Sequence, residues 1–247
     1  MPKLIMLRHG QSTWNAENRF TGWVDVDLTP DGEKEARTSG ELLAEEPGLT
    51  IDTLHTSVLT RAVHTADIAL SAAQRSYIPV QRHWRLNERH YGELTGLNKK
   101  ETADQFGAEQ VKAWRRGYRT PPGPVSLDSP YHPLNDARYA FVPRSTLPAT
   151  ECLADVVDRI MPYYEDAIAP ELLRGQTVLI VAHGNSLRAL LKHLEGVSDD
   201  DIAEIDIPTG IPRLYDLDEK LDVREVRYLG DPDAALAASD AVKRQAG

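Results

Sequence analysis

Cysteine is almost missing from this chain of 247 residues, where Cys152 stands alone. One thiol closes no internal disulfide and fills no multi-cysteine metal site, so the composition suits a reducing compartment and the cytoplasm is the expected location. Long apolar runs are missing as well. The stretch "TVLIVA" falls far short of the roughly 20 residues that span a bilayer. The N-terminus lacks the charged start, apolar run and small-residue cleavage site of a targeting segment. A soluble protein with no membrane partner is expected. Positive charge is also in deficit. A formal net charge of -10 argues against a general nucleic-acid binder, because nucleic acid is held by a positive footprint. Any anionic ligand must therefore be attracted by a local cluster of cations. No group of carboxylates and histidines has recognised ligand spacing, so no metal is expected.

What the chain does have is an apolar share of 41%, enough for a sizeable core in one domain over residues 1–247. Lys3–Leu7 is short, aliphatic and bounded by Pro2 and Gly10, as a strand buried on both faces would be. Thr29-Pro30-Asp31 offers an N-cap, a proline at the first helical position and an acid in the first turn of a helix. Asp52–Thr56 reads as a second strand. "SVLTRAVHTADIALSAA" reads as a helix with Arg61 in its first turns. From about 79 to 148 the chain is rich in Pro, Gly, Arg and Tyr, with one helix predicted over "NKKETADQFGAEQVKAWRRG", and is expected to form an insertion over the sheet. Beyond it come a helix that Pro162 is expected to kink, the buried strand "TVLIVA", a helix closed by Gly196 and two late strands. Alternating strands and helices predict an α/β fold, a mostly parallel sheet with helices on both faces. Ligands of such sheets sit beyond the carboxyl ends of the strands.

Two strand ends carry the same pattern: His9, Gly10 and Ser12 after the first, His183, Gly184 and Ser186 after "TVLIVA". Both imidazoles are thereby placed on one rim, with backbone N–H groups of the next helical turns available to an anion. Phosphoryl transfer through a side chain needs a nucleophile free of its proton near neutral pH, and imidazole, with an ordinary pKa of about 6.5, qualifies. His9 is the candidate nucleophile. Arg8, Arg61 and His183, with Asn15 as a neutral donor, are candidates to surround the equatorial oxygens. Glu88 in "RLNERHYGEL" is the candidate proton donor and acceptor for the hydroxyl that leaves or arrives. Each residue also has a plainer explanation. A single His after a strand is commonly a satisfied structural residue, Arg61 alone suits a helix surface, and Glu88 alone could pair with Arg85 or Arg89. The paired His-Gly strand ends outweigh these. His55, His64, His83, His90, His132 and His193 are expected to be structural or exposed.

Two further patterns fail on inspection. "DVDLTPDGEKEA" opens like a calcium loop, but Pro30 and Ala36 occupy positions that need Gly and Glu. "KAWRRGYR" mixes cations and aromatics as a nucleic-acid patch does, yet it sits in an acidic chain and better suits a small, multiply charged substrate.

The motifs "LRHGQSTWN", "RFTGWVDVDLT", "TSVLTRAVHTA", "LNERHYGELTGLNK", "WRRGY", "AHGNSLRALLK" and "IPTGIP" together resemble the cofactor-dependent phosphoglycerate mutases of the histidine phosphatase superfamily, over nearly the whole chain. The resemblance implies that His9 is phosphorylated, that Glu88 moves the proton and that His183 stabilises the transferring group. It implies phosphate contacts from Arg8, Asn15 and Arg61, and substrate contacts from Ser12, Thr21, Gly22, Tyr91, Lys99, Arg115, Arg116, Gly184 and Asn185. It further implies 2,3-bisphosphoglycerate as primer, a phosphoglycerate substrate, a homo-oligomer (dimer or tetramer) and a variable tail over residues 230–247 that helps cover the site. Gln11 departs from the family's usual Glu and removes a negative charge near the nucleophile, which bears on rate or pH profile rather than on the reaction. A phosphatase of small phosphomonoesters is the alternative within the superfamily, and a non-catalytic phospholigand-binding module the alternative outside it. Lys99, Arg115 and Arg116 favour the mutase, since a monophosphate hydrolase needs no holder for a second anionic group.

Overall fold

The computed structural model describes residues 1–231; the expected covering tail lies almost wholly outside them. Six strands form one sheet in the order β3-β2-β4-β1-β5-β6, with β1 at Lys3–Arg8, β2 at Thr53–Thr56, β3 at Val80–Arg82, β4 at Thr177–Ala182, β5 at Arg213–Leu217 and β6 at Val223–Tyr228. The first four run parallel, and β5 and β6 add an antiparallel edge. The α/β expectation is met. The short edge strand β3 was not anticipated, because it falls inside the stretch read as irregular and all three of its residues are exposed.

Side-chain alternation along the central strands sorts the core into two layers. Leu4, Met6, Val178 and Ile180 pack under α6 (Leu153–Tyr163) and α8 (Gly184–Glu195), whereas Ile5, Leu7, Leu179 and Val181 pack under α2 (Pro30–Glu45) and α3 (Thr60–Ala72). The remaining α-helices among the described residues are α1 (Thr13–Ala16), α4 (Lys99–Phe106), α5 (Ala108–Arg116) and α7 (Ala169–Leu173). Thr29 caps α2 as expected, accepting from the Gly32 amide, and Gly196 ends α8 in the left-handed region.

Two helix predictions needed correction. The helix predicted from 98 to 117 is two, because Gly107 adopts φ 87 and breaks it between α4 and α5. Pro162 lies inside α6, and in place of a simple kink the chain widens into a π turn over Tyr164–Ile168 before α7. Proline removes one backbone donor and crowds the preceding turn, and a π turn accommodates both changes.

The loop after β1 is held by a close backbone crossing. A Cβ on Gly32 would lie 2.1 Å from the Gln11 carbonyl oxygen, and one on Gly10 would lie 2.2 Å from that of Gly32. Thr29 N donates to that same Gln11 carbonyl at 2.9 Å, which ties the start of α2 to the residues after His9. Gly32→Ala is expected to destabilise the fold by about 1–3 kcal/mol, by forced displacement of packed backbone, and to lower activity with it. Thermal unfolding together with a turnover assay checks both.

Candidate active site

Strand register brings the two histidines together. Leu7 pairs with Val181 and Arg8 with Ala182, so the next residue of each strand, His9 and His183, must emerge side by side. His9 N donates to the Ala182 carbonyl at 3.0 Å, and the two imidazole rings lie 4.9 Å apart, edge to face. Both are buried.

A hydrogen bond to backbone fixes which nitrogen of the His9 ring does what. His9 Nδ1 is 2.7 Å from the Gly10 carbonyl oxygen, an acceptor only, so Nδ1 carries the proton and Nε2 the lone pair. Burial, followed by the nearby Arg61 and Arg8 charges, holds the His9 pKa well below its ordinary value, which favours the neutral ring. For His183, Nε2 lies 2.8 Å from Ser57 Oγ, and that hydroxyl already accepts from Leu59 N. His183 Nδ1 is a buried ring nitrogen with no hydrogen-bond partner. His183 is likewise kept uncharged by burial, aided by Arg61 and His9.

Arg61 is the best-anchored cation. Its Nη1 and Nη2 donate to the carbonyls of Val24 and Gly22 at 2.9 and 2.8 Å, and its Nε points at His9 Nε2 from 3.3 Å. Asp25 secures the start of α3, accepting from Thr60 N at 2.7 Å where Leu59 offers no side-chain cap. Asp27 accepts from Leu28 N and pairs with His64, and Asp31 pairs with Lys34, so the three aspartates of the calcium-like stretch are all engaged by protein groups. Arg8 donates through Nη1 to the Ile207 carbonyl at 2.8 Å and keeps Nε without a partner.

Glu88 sits opposite. Its Oε1 accepts from Arg89 N at 2.7 Å and from Asn185 N at 3.1 Å, and Oε2 has only a 3.5 Å approach from the latter. Oε2 is therefore the oxygen free to exchange a proton. The side-chain amide of Asn185 is oriented from both ends, by Tyr91 Oη on Nδ2 and by Arg188 Nη1 on Oδ1.

A cleft open to solvent has His9, Asn15, Thr21, Gly22, Glu88, Tyr91, Gly184 and Asn185 in its wall. Seven basic residues join them, Arg8, Arg19, Arg61, Lys99, Arg115, Arg116 and Arg188, against the two acids Glu88 and Asp206. A chain of net charge -10 thus concentrates cations at one place. Burial and the neighbouring Arg115 and Arg8 lower the Lys99 pKa to about 7.

Of the residues expected at the site, two are not in the cleft wall. His183, beside His9, is fully buried and is not among the lining residues. Ser12 is instead the N-cap of α1, its hydroxyl accepting from Asn15 N and donating to Asn15 Oδ1, so it orients Asn15 from behind. Arg19, Arg188 and Asp206 were missed. Arg188 is one helical turn beyond Gly184 on α8 and could have been found by its i+4 spacing. Asp206 is placed by a 2.6 Å ion pair with Arg116, ninety positions away, and no local pattern announces it.

Among the described residues no group of three or more His, Cys, Asp or Glu side chains could hold a metal ion, and no helix is long and apolar enough to cross a membrane.

Comparison with known proteins agrees with this geometry. Residues 4–220 match the Histidine phosphatase superfamily (branch 1). The 2,3-bisphosphoglycerate-dependent phosphoglycerate mutase of Thermobifida fusca is 56% identical over 247 residues, covering 99% of each chain. That of Nitratidesulfovibrio vulgaris is 55% identical over 245 residues, covering 99% of this chain and 98% of its own. Among solved structures, a mycobacterial glucosyl-3-phosphoglycerate phosphatase complexed with VO3 superposes with a TM-score of 0.69 at 22% identity, covering 92% of this chain and 97% of that one. The alpha-ribazole phosphatase of Shigella flexneri does so with a TM-score of 0.64 at 22% identity, covering 93% and 96%. At that identity the two structures speak for the fold alone. Profile, near-full-length relatives and the paired histidines agree: the chain belongs to the histidine phosphatase superfamily, branch 1.

Proposed function

We propose that the cleft interconverts 3-phosphoglycerate and 2-phosphoglycerate by way of a phosphorylated His9, primed by 2,3-bisphosphoglycerate and without a metal. The observation that carries this is the register-imposed pairing of His9 and His183 at the foot of a cleft lined by seven basic residues. A multiply anionic primer fits it, because Arg8 Nε, Thr21 Oγ1, Arg188 Nε and His183 Nδ1 are buried groups without a protein partner. When bound, the bisphosphate supplies the phosphoryl group.

His9 Nε2 attacks phosphorus, and the bond from phosphorus to the substrate oxygen breaks. Glu88 gives that oxygen its proton and takes one back from the hydroxyl that later attacks the phosphohistidine. Arg8, Arg61 and His183 hold the equatorial oxygens while charge spreads over them. Asn15 and Thr21 add neutral donors. Lys99, Arg115, Arg116 and Arg188 hold the substrate's far anionic group, which retains the bisphosphorylated intermediate long enough for it to turn round. The same reading includes a single catalytic domain whose 79–148 segment roofs the cleft, a homo-oligomer and a cytoplasmic location.

The deciding assay follows isomerised phosphoglycerate and inorganic phosphate together, with and without added 2,3-bisphosphoglycerate, in excess chelator. Isomerisation should exceed phosphate release by orders of magnitude and should depend on the primer. Phosphate as the main product would make the chain a phosphatase, and collapse of activity in chelator would point to a metal.

Lys99 gives an independent prediction. Near pH 7 its ammonium is partly deprotonated in the empty cleft, and an anionic ligand stabilises the charged form, so its pKa rises on binding. Binding of 2,3-bisphosphoglycerate at pH 7 to 8 is expected to take up a fraction of a proton. Calorimetry in buffers of differing ionisation enthalpy measures it, and Lys99→Met should remove most of the uptake.

A further inference from the structure

Arg159 and Glu151 form a buried ion pair that no step above uses. Arg159 Nε donates to Glu151 Oε1 at 2.6 Å and Nη2 to Oε2 at 3.1 Å, and the side chains are 5% and 3% exposed. The outer edge of the guanidinium is turned onto backbone. Its Nη1 donates to the Arg85 carbonyl at 2.6 Å, and its Nη2 lies 3.3 Å from the Asn87 carbonyl and 3.2 Å from that of Glu88. Glu151 grips the other side, accepting from His90 N at 2.8 Å through Oε2 and donating from its own amide to the His90 carbonyl at 2.9 Å. Trp23 adds a donor from a third direction. Its Nε1 lies 2.6 Å from the Glu88 carbonyl, and its ring faces the Arg159 guanidinium at 5.4 Å.

Residues 87–90 belong to no helix or strand, so no ladder fixes the peptide units that carry Glu88. Replacing a buried ion pair by apolar side chains is often neutral or stabilising, so stability alone is a weak reason for this one. A planar guanidinium can order several carbonyls at once, which apolar packing cannot. None of the three residues lines the cleft.

We propose that the Arg159–Glu151 pair, with Trp23, is a backbone clamp that positions the Glu88 carboxyl for proton transfer. These are positioning residues, and the proposal rests on the preceding reading in that Glu88 must move a proton. As the bond from His9 Nε2 to phosphorus forms, the phosphorus–oxygen bond of the substrate breaks, and that oxygen takes its proton from Glu88. With the clamp slack, the leaving oxygen departs as an unprotonated alkoxide. A sugar-like alkoxide is a poor leaving group, whereas a dinitrophenolate departs without a proton. The two kinds of substrate therefore respond differently to a misplaced Glu88 and alike to general damage.

The test compares full-length wild type, Arg159→Lys and Trp23→Phe on phosphoglycerate isomerisation and on dinitrophenyl phosphate, followed as phenolate release with acid-labile phosphate on His9. Arg159→Lys keeps the charge but loses the fork. It should lower isomerisation kcat by about 30-fold or more, within the range general acid catalysis contributes, with KM changed by less than about threefold. The first-turnover burst of dinitrophenolate, which needs no proton from Glu88, should stay within about twofold in rate. Trp23→Phe removes one donor, should show the same split at about tenfold, and decides the matter alone if the lysine variant does not fold. Parallel loss on both substrates, or loss on neither, overturns the clamp. A wild type that forms no acid-labile phosphate from either donor refutes the phosphohistidine reading itself, and the clamp falls with it.

Discussion

His9→Ala is expected to abolish the phosphoenzyme and to lower phosphoglycerate isomerisation by a factor on the order of 10^4 to 10^6, the scale on which loss of a covalent nucleophile reads. The size follows from the site's economy of parts. Among the described histidines, only His9 combines an unprotonated Nε2 approached by Arg61 Nε, a tautomer fixed by the Gly10 carbonyl and a place in the cleft wall. His183 lies 4.9 Å away by ring centroid but presents its Nε2 to Ser57, so it cannot take over the attack. Binding should survive, because the basic residues are untouched and alanine removes a neutral ring. The measurements are acid-labile labelling by 2,3-bisphosphoglycerate, steady-state turnover and a direct binding isotherm. Full turnover by the alanine variant would show that phosphate passes between substrates without resting on this residue.

How much of this was readable beforehand depends on whether local chemistry or distant packing sets each feature. The central strands and both His-Gly ends were legible because an apolar run stopped by a polar residue and a glycine is a short-range signal. Arg61 was legible only with the support of those paired strand ends, since alone it suits a helix surface. The pairing of His9 with His183 could be expected from fold class but not measured, since it rests on the parallel register of Arg8 with Ala182. Ser12 misled because a serine after a His-Gly pair suits an anion contact as well as an N-cap, and only geometry distinguishes them. Ser57, Arg159 and Asp206 were silent. Each acts through at least one contact to a residue more than seventy positions away. The break at Gly107 was visible as a glycine but not as a break, because an isolated glycine inside a helical pattern is commonly tolerated.

Arg61→Met should lower turnover by a factor on the order of 10^3, the scale of removing an arginine from a phosphoryl-transfer site. Two losses combine. The transferring group loses a donor pre-aimed at His9 Nε2, and the carbonyls of Gly22 and Val24 lose the fork that holds the cleft wall. Arg61→Lys separates them, since an ammonium restores charge but cannot bridge two carbonyls and the nucleophile at once. The pH profile separates them further. Burial is the largest cause of the low His9 pKa and Arg61 the next, so removing the guanidinium raises that pKa part of the way back. Activity requires the neutral ring and is lost as pH falls through the His9 pKa, so a raised pKa moves the acid limb of kcat/KM to higher pH. Arg61→Met should show this displacement, and Arg61→Lys should keep the wild-type limb while still turning over slowly. An acid limb that stays fixed or moves to lower pH in the methionine variant would mean that His9 does not feel the Arg61 charge, and the neutral nucleophile would have to be explained by burial alone.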